Sequence, residues 1–407
     1  MIRGLAIADG RKSFRAELIV ATKAPQPTGD NETAAHSTCD EPAVTMQRLI
    51  ENVSHDLRGP LAVAKEFTSI MLDGLAGEVP ARQHEYLEVV AESLDELEAM
   101  VGDLIDAGRF DAALVGVFRR PCSASEILSP LRAKLARKAA VHHIELEVSE
   151  AENLPNLFCD PDHVGRVLTR LVTHAIRSAD PNGSVGLQVR RADNDDASVV
   201  FEVKDDGSGL PTEKLRLIQE RLRSDDDGTG AGLADLDLRL TAVKQLVALN
   251  LGEIIVSSGP GRGTAFKVSL PVAEPFNLVQ RFLSYSAVLR RGASYASMHI
   301  IRVDEPADPQ TVAEIGSFLQ HHVRCSDMVF PLERGAWFVL LPSNRKDASA
   351  MLRRLQSAWS ECNANRPQRP LPRIAVETRG CWRVERDGGE LLVELHRVLH
   401  GRQIPAR

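Results

Sequence analysis

Ser54-His-Asp-Leu-Arg-Gly-Pro-Leu61 lies inside a stretch whose apolar residues keep step with a helix. Met46, Ile50, Val53, Leu57, Pro60, Ala64, Phe67 and Met71 are spaced 4, 3, 4, 3, 4, 3, 4, a heptad seam along one helical face. His55 stands two positions beyond the seam residue Val53, and so on the outward face. An imidazole displayed there can act as a nucleophile, with one nitrogen in water and the other oriented by a neighbour. Asp56, next in the chain, is placed to take the proton. Pro60 removes a helical hydrogen bond one turn later. The breaker-rich Asp73-Gly-Leu-Ala-Gly-Glu-Val-Pro-Ala81 ends this seam, and a second runs through Leu87, Val90, Leu94, Leu97, Val101 and Leu104. Two such helices joined by a short loop predict an antiparallel hairpin. One hairpin leaves a wide apolar stripe uncovered, which a second copy would bury as a four-helix bundle. An ordinary coiled-coil dimeriser would show the same spacing.

Beyond the hairpin the periodicity changes. From 118 to 272 strands and helices alternate: Ile144–Val148, Val185–Val189 and Val199–Val203 read as strands, Asp162–Ala179 and Leu233–Leu249 as helices. Glu253–Ser257 and Thr264–Leu270 form a closing pair of strands around the turn Ser258-Gly-Pro-Gly-Arg-Gly263. This pattern predicts an α/β sandwich with helices on one sheet face. Residues 276–407 form a third, α+β unit with helices at Phe276–Leu289, Thr311–His322, Ala348–Cys362 and Glu390–His400. Its strands are Met298–Val303 and Trp337–Leu341. Residues 1–43 are a short mixed segment followed by a polar, Pro-rich linker.

Composition narrows the class. The 407 residues allow about three domains, and 43 % apolar with 26 % charged residues excludes a disordered or collagen-like chain. The net charge of −7 argues against a nucleic-acid partner. No apolar run approaches the ~20 residues of a bilayer span, so membrane insertion is not expected. Six cysteines form no Cys-x-x-Cys pair. The chain reads as cytoplasmic and reduced.

Two glycine-rich loops carry the next chemistry. Val203-Lys-Asp-Asp-Gly-Ser-Gly-Leu-Pro211 ends a strand with carboxylates and glycines, and Gly228-Thr-Gly-Ala-Gly232 immediately precedes a helix. Glycines let backbone approach phosphates closely, and a helix N-terminus offers unpaired N–H donors. Asp205 is suited to accept a hydrogen bond from an exocyclic amine such as adenine's. The acidic run Ser224–Asp227 between the loops reads as a solvated lid.

With these segments together, residues 44–272 resemble the catalytic core of a bacterial sensor histidine kinase. The Ser54–Leu61 segment is similar to the H-box of the dimerisation and phosphoacceptor hairpin, here 44–113. Val203–Pro211 and Gly228–Leu233 resemble the two glycine boxes. Ser258–Phe266 resembles the closing hairpin of the GHKL-type ATP-binding domain shared with gyrases and the Hsp90 chaperones, here 118–273. The resemblance implies a homodimer that uses ATP with Mg²⁺ to phosphorylate His55, assisted by Asp56, and then passes the phosphoryl group to a response-regulator receiver domain. It assigns the adenine-binding carboxylate to Asp205, the adjoining loop to Gly207 and Gly209, the phosphate-side hinge to Gly228, Gly230 and Gly232, and a position near the base to Thr264. Input would come from an upstream sensory protein or through the C-terminal unit.

One segment departs from the pattern. Arg170 and His174 stand where the family carries two asparagines, and His174 takes the position expected to hold Mg²⁺. Mg²⁺ prefers hard oxygen ligands, so imidazole is a poor substitute. Arg177 keeps a positive charge on the phosphate side. A second reading therefore stays open: a pseudokinase-type phosphotransfer or scaffold protein with a decayed ATP site.

The C-terminal unit carries its own resemblance. Val323–Pro342 is similar to the central hairpin of diguanylate cyclase (GGDEF) domains, with the signature replaced by Glu333-Arg-Gly-Ala-Trp337. Ala336 and Arg302 fall where metal-binding acids would stand, leaving Asp304. The resemblance implies a degenerate domain without cyclase activity.

Overall fold

The computed structural model describes residues 57, 59–111, 116–193, 197–223, 237–289, 295–304, 307–324, 326–332, 335–366 and 368–400. His55 and Asp56 lie outside these residues, as do Gly228, Gly230 and Gly232 and the seam residues Met46, Ile50 and Val53.

A helix over 59–72 (α1) and the helix Ala81–Asp111 (α2) make the hairpin, joined by the turn at 73–80. Lys65 and Glu98 pair across it at 2.6 Å, and Thr68 is buried between the helices. The seam is only partly covered within one chain. Phe67 is 62 % exposed, with Leu57, Val90 and Leu97 also exposed, whereas Val101 is buried. The α2 helix continues past the next unit: Gly102 faces Arg166, and α2 contacts the helix α6 introduced below.

The second unit is built on a five-stranded sheet of order β2-β4-β5-β7-β6. Its strands are Glu145–Glu150 (β2), Ser184–Arg191 (β4), Ser198–Asp205 (β5), Glu253–Ser258 (β6) and Thr264–Pro271 (β7). A short antiparallel pair, Arg120–Cys122 (β1) with Leu157–Cys159 (β3), flanks it. The pair β2–β4 is parallel; the remaining neighbours are antiparallel. Alternation decides which face is covered. Val185, Leu187, Val189, Val199, Phe201, Val203, Phe266, Val268 and Leu270 all point into one core. The opposite face is polar, with Glu202 between Arg190 and Lys267.

Four helices cover the apolar face: Ala124–Val141 (α3), Pro161–Ser178 (α4), Thr212–Arg223 (α5) and Asp237–Leu249 (α6). This is the predicted α/β sandwich with helices on one side. Sequence periodicity did not reveal α3 and α5. The first contains Pro130, yet begins with a readable cap in which Ser123 accepts from Glu126 N–H. The second is strongly polar and buries only Ile218 fully.

The third unit begins with Pro275–Leu289 (α7). Tyr295–Val303 (β8), Pro309–His322 (α8), Met328–Leu332 (β9), Ala336–Leu341 (β10), Arg345–Ala364 (α9) and Ile374–Arg383 (β11) follow in a βαββαβ order, and Val384–His400 (α10) closes it. Its sheet runs β11-β8-β10-β9, all antiparallel, the split arrangement of ferredoxin-like folds. Here both faces are buried. Ile315, Leu319, Met351, Leu355 and Trp359 cover one face from α8 and α9. Leu278, Phe282, Leu391 and Leu395 cover the other from α7 and α10. Phe158 of β3 enters this second core, its ring 5.1 Å from that of Phe330. Leu251, which follows α6, lies in the same core, so two residues of the second unit complete the core of the third.

Candidate nucleotide site

The end of β5 and the turn between β6 and β7 meet around one carboxylate. Asp205 is 2 % exposed. Its Oδ1 accepts from Gly207 N–H at 3.0 Å and Thr264 N–H at 3.1 Å. Its Oδ2 is buried and has no hydrogen-bond partner among the described residues. Burial raises the Asp205 pKa above the ordinary aspartate value, against the lowering effect of the two backbone donors, and Asp206 nearby adds to the rise. A buried acceptor left open costs about 1–3 kcal/mol, which makes this atom a receptor for an external donor.

The loop around Asp205 has no room for side chains. A Cβ on Gly207 would lie 1.9 Å from the Ser178 carbonyl oxygen at the end of α4. Gly209 has φ +76° and would place its Cβ 2.2 Å from the Gly259 carbonyl oxygen. Both predicted glycines thus serve close approach between loop and neighbours.

Ser258 fastens the three segments together. Its Oγ donates to the Gly263 carbonyl at 2.9 Å, accepts from Leu210 N–H at 2.8 Å, and lies 3.0 Å from Thr264 Oγ1. Gly261 N–H adds a bond to the Ser208 carbonyl at 2.9 Å. Asp206 anchors the other side by accepting from Ser184 N–H at 2.7 Å and from its hydroxyl at 3.1 Å. Neither Ser258 nor Asp206 was singled out in the sequence. The doubled aspartate at 205–206 is a signal for the second; Ser258 is one of two adjacent serines and carries none.

The α4 helix supplies the wall. Asp160 caps it, with Oδ1 accepting from Asp162 and His163 N–H at 3.0 and 3.1 Å. Buried residues Val164, Val167, Leu168, Leu171, Val172, Ala175 and Ile176 hold one face in the core. Arg170, His174 and Arg177 follow one another at helical spacing; the first two are half-buried and Arg177 is exposed. The His174 ring meets Phe266 of β7 edge-on, 5.5 Å between centroids. Among the described residues no three His, Cys, Asp or Glu side chains gather as a metal-holding set. The described protein groups therefore do not form a Mg²⁺ cage; such a cation would depend on phosphate oxygens and water.

The described residues thus form a helical hairpin joined to an α/β sandwich that holds a buried carboxylate beside the Gly207–Gly209 loop. Comparison with known families agrees. Residues 45–113 match the His Kinase A (phospho-acceptor) domain, and residues 159–274 match the histidine kinase-, DNA gyrase B- and HSP90-like ATPase family. Each match covers one segment of the chain, and neither reaches half of it. The circadian input-output histidine kinase CikA of Synechococcus elongatus is 31 % identical over 232 residues, covering 55 % of this chain and 29 % of that protein. The alginate biosynthesis sensor protein KinB of Pseudomonas aeruginosa is 26 % identical over 238 residues, covering 56 % and 39 %. The sensor protein SrrB of Staphylococcus aureus is 26 % identical over 226 residues, covering 56 % and 38 %. The chain spans well under half the length of each of these relatives. A crystal structure of full-length ShkA in complex with AMPPNP superposes with TM-score 0.40 at 22 % identity, over 56 % of this chain and 46 % of that one. No described helix is long and apolar enough to cross a membrane.

Proposed function

We propose that the chain is a two-component histidine kinase that moves the γ-phosphoryl group of ATP to His55 and then to an aspartate on a response-regulator receiver domain. The observation that carries this reading is Asp205, buried, with one oxygen held by two backbone amides and the other without a partner among the described residues. Adenine's exocyclic amine is the donor that fits. The phosphates would then extend toward Gly228, Gly230 and Gly232 and toward Arg170, His174 and Arg177 on α4. Mg²⁺, where bound, supplies charge neutralisation on the phosphate oxygens; His174 is the protein group at that position. A ring nitrogen of His55 attacks the γ-phosphorus, the bond to the ADP oxygen breaks, and Asp56 takes the imidazole proton. Matches to both the phosphoacceptor and the ATPase family support this over a phosphotransfer or scaffold role.

In this reading 44–113 is the phosphotransfer hairpin, 118–273 the catalytic domain and 276–407 a degenerate GGDEF-like domain. The βαββαβ order and the β9–β10 hairpin support the last assignment. The exposed seam residues Phe67, Val90 and Leu97 support a homodimer formed through the hairpin. A cytoplasmic location and an upstream sensory partner complete the proposal. Incubation of the chain with γ-labelled ATP and Mg²⁺ or Mn²⁺ should label it, and His55→Ala should abolish the label. An unlabelled wild-type chain that instead accepts phosphate from a phosphorylated receiver would establish the phosphotransfer-only role.

A further inference from the structure

Outside the nucleotide site, two thiols are diagonal neighbours in the short β1–β3 ladder. Cys122 and Cys159 are separated by 37 positions in sequence, and their Sγ atoms lie 3.4 Å apart. Both side chains are buried, at 3 % and 0 % exposure. The ladder pairs Arg120 with Cys159 and Cys122 with Leu157. A disulfide has its sulfurs about 2.05 Å apart, so closure requires a movement of roughly 1.4 Å.

Charge around the pair is uneven. The hydrogen bond shared with Cys159 draws the Cys122 thiol below its ordinary pKa, with the Arg120 guanidinium assisting against burial. The same bond, together with burial, drives Cys159 well upward. Arg120 is itself held in place by Glu126. Cys122, flanked by exposed residues, is the thiol a small oxidant reaches first, and the fully buried Cys159 is the partner that closes the bond. The ladder has only three residues in each strand, and Arg120 and Ser123 beside Cys122 are exposed. Local opening of so short an edge lets a small oxidant in.

We propose that Cys122 and Cys159 are a reversible thiol modification site, oxidised by a peroxide to an intramolecular disulfide that restrains the start of α4. The Cys122 thiolate attacks a peroxide oxygen, the O–O bond breaks and hydroxide leaves, giving a sulfenic acid at Cys122. The Cys159 sulfur then attacks the sulfenic sulfur and expels its oxygen as water. In sum, two thiols and one hydrogen peroxide give one disulfide and two waters. The restraint reaches α4 because Cys159 is bonded to Asp160, the helix cap. Asp160 also accepts from Phe118 N–H at 2.9 Å and donates its own N–H to Asn250 Oδ1 at 2.6 Å, at the end of α6. The inference rests on the fold alone and stands whether or not the chain is a kinase.

The full chain is treated with hydrogen peroxide, blocked with N-ethylmaleimide, digested without reductant and mapped by mass spectrometry. The expected result is a peptide pair joined through Cys122 and Cys159, lost on dithiothreitol treatment and absent in whichever of Cys122→Ser and Cys122→Ala folds. Recovery of both residues as maleimide adducts or sulfinic acids, at doses that oxidise the half-buried Cys362, overturns the assignment; this holds on the wild-type chain even if neither variant folds. Amide exchange over residues 160–166 should slow at least threefold in the oxidised chain. Unchanged exchange with the disulfide present refutes the restraint on α4.

Discussion

At Asp205 burial and function pull in opposite directions. Burial disfavours the carboxylate, so the folded pKa is raised above that of the unfolded chain. Such a group favours the fold below its unfolded pKa, and that contribution is lost as pH rises through the folded value. At neutral pH the ionised side chain therefore weakens the empty site while offering the acceptor that a donor ligand needs. Two consequences follow at this residue. Asp205→Asn should weaken ATP binding by about 10- to 100-fold in calorimetry, the range expected for one charge-assisted hydrogen bond, while the melting temperature of the empty protein holds or rises. Wild-type affinity should also fall on acidification, beginning at a pH above the ordinary aspartate range. Unchanged affinity in the variant would remove Asp205 from the site. That a carboxylate and glycines meet at the end of β5 was legible in the chain. That one oxygen is used by the backbone and one is left open was not, because both amide donors come from the folded loop: one two residues on, the other across the sheet.

Among the elements, α4 depends most on a single side chain. Asp160 caps its first turn with one oxygen and holds Phe118 N–H with the other. Asp160→Ala removes the cap and leaves a second donor unpaired, and should cost about 2–3 kcal/mol in urea denaturation. Exchange at Asp162 and His163 should rise with it. A loss below about 0.5 kcal/mol would show that the helix is held by its apolar face alone. The helix itself was readable from Pro161 at its start and the spacing of its valines and leucines. The strand β11 was not; it lies at a sheet edge, and its alternation of half-buried Ile374 and Val376 stops before the register shift at Thr378–Gly380.

On the scale of the whole molecule the C-terminal unit is packed onto the nucleotide-binding unit rather than tethered beside it. Phe158 lies in the core of α7, α10 and the second sheet, Arg119 donates to the Asp327 carbonyl at 3.3 Å, and the Phe118 and His321 rings stand 4.4 Å apart. Phe158→Ala should therefore destabilise both units, by roughly 3–5 kcal/mol for a fully buried ring. All three tryptophans, 337, 359 and 382, lie in the C-terminal unit. Their emission and the far-ultraviolet circular dichroism should shift to lower temperature together in the variant. A tryptophan transition that stays in place would mean that the units unfold independently.

Local order was available from the chain itself: heptads fix a helical hairpin, two-residue alternation fixes sheet strands, and glycines beside a carboxylate mark a tightly approached loop. These follow from the periods of helix and strand and from the space a Cβ needs, and every residue involved is close to its partners in sequence. Tertiary structure alone decided the rest. It set Cys122 against Cys159, joined Ser258 to Leu210, and put Phe158 into the core of another unit, since each contact joins residues that are brought together only when separate apolar faces are buried at once.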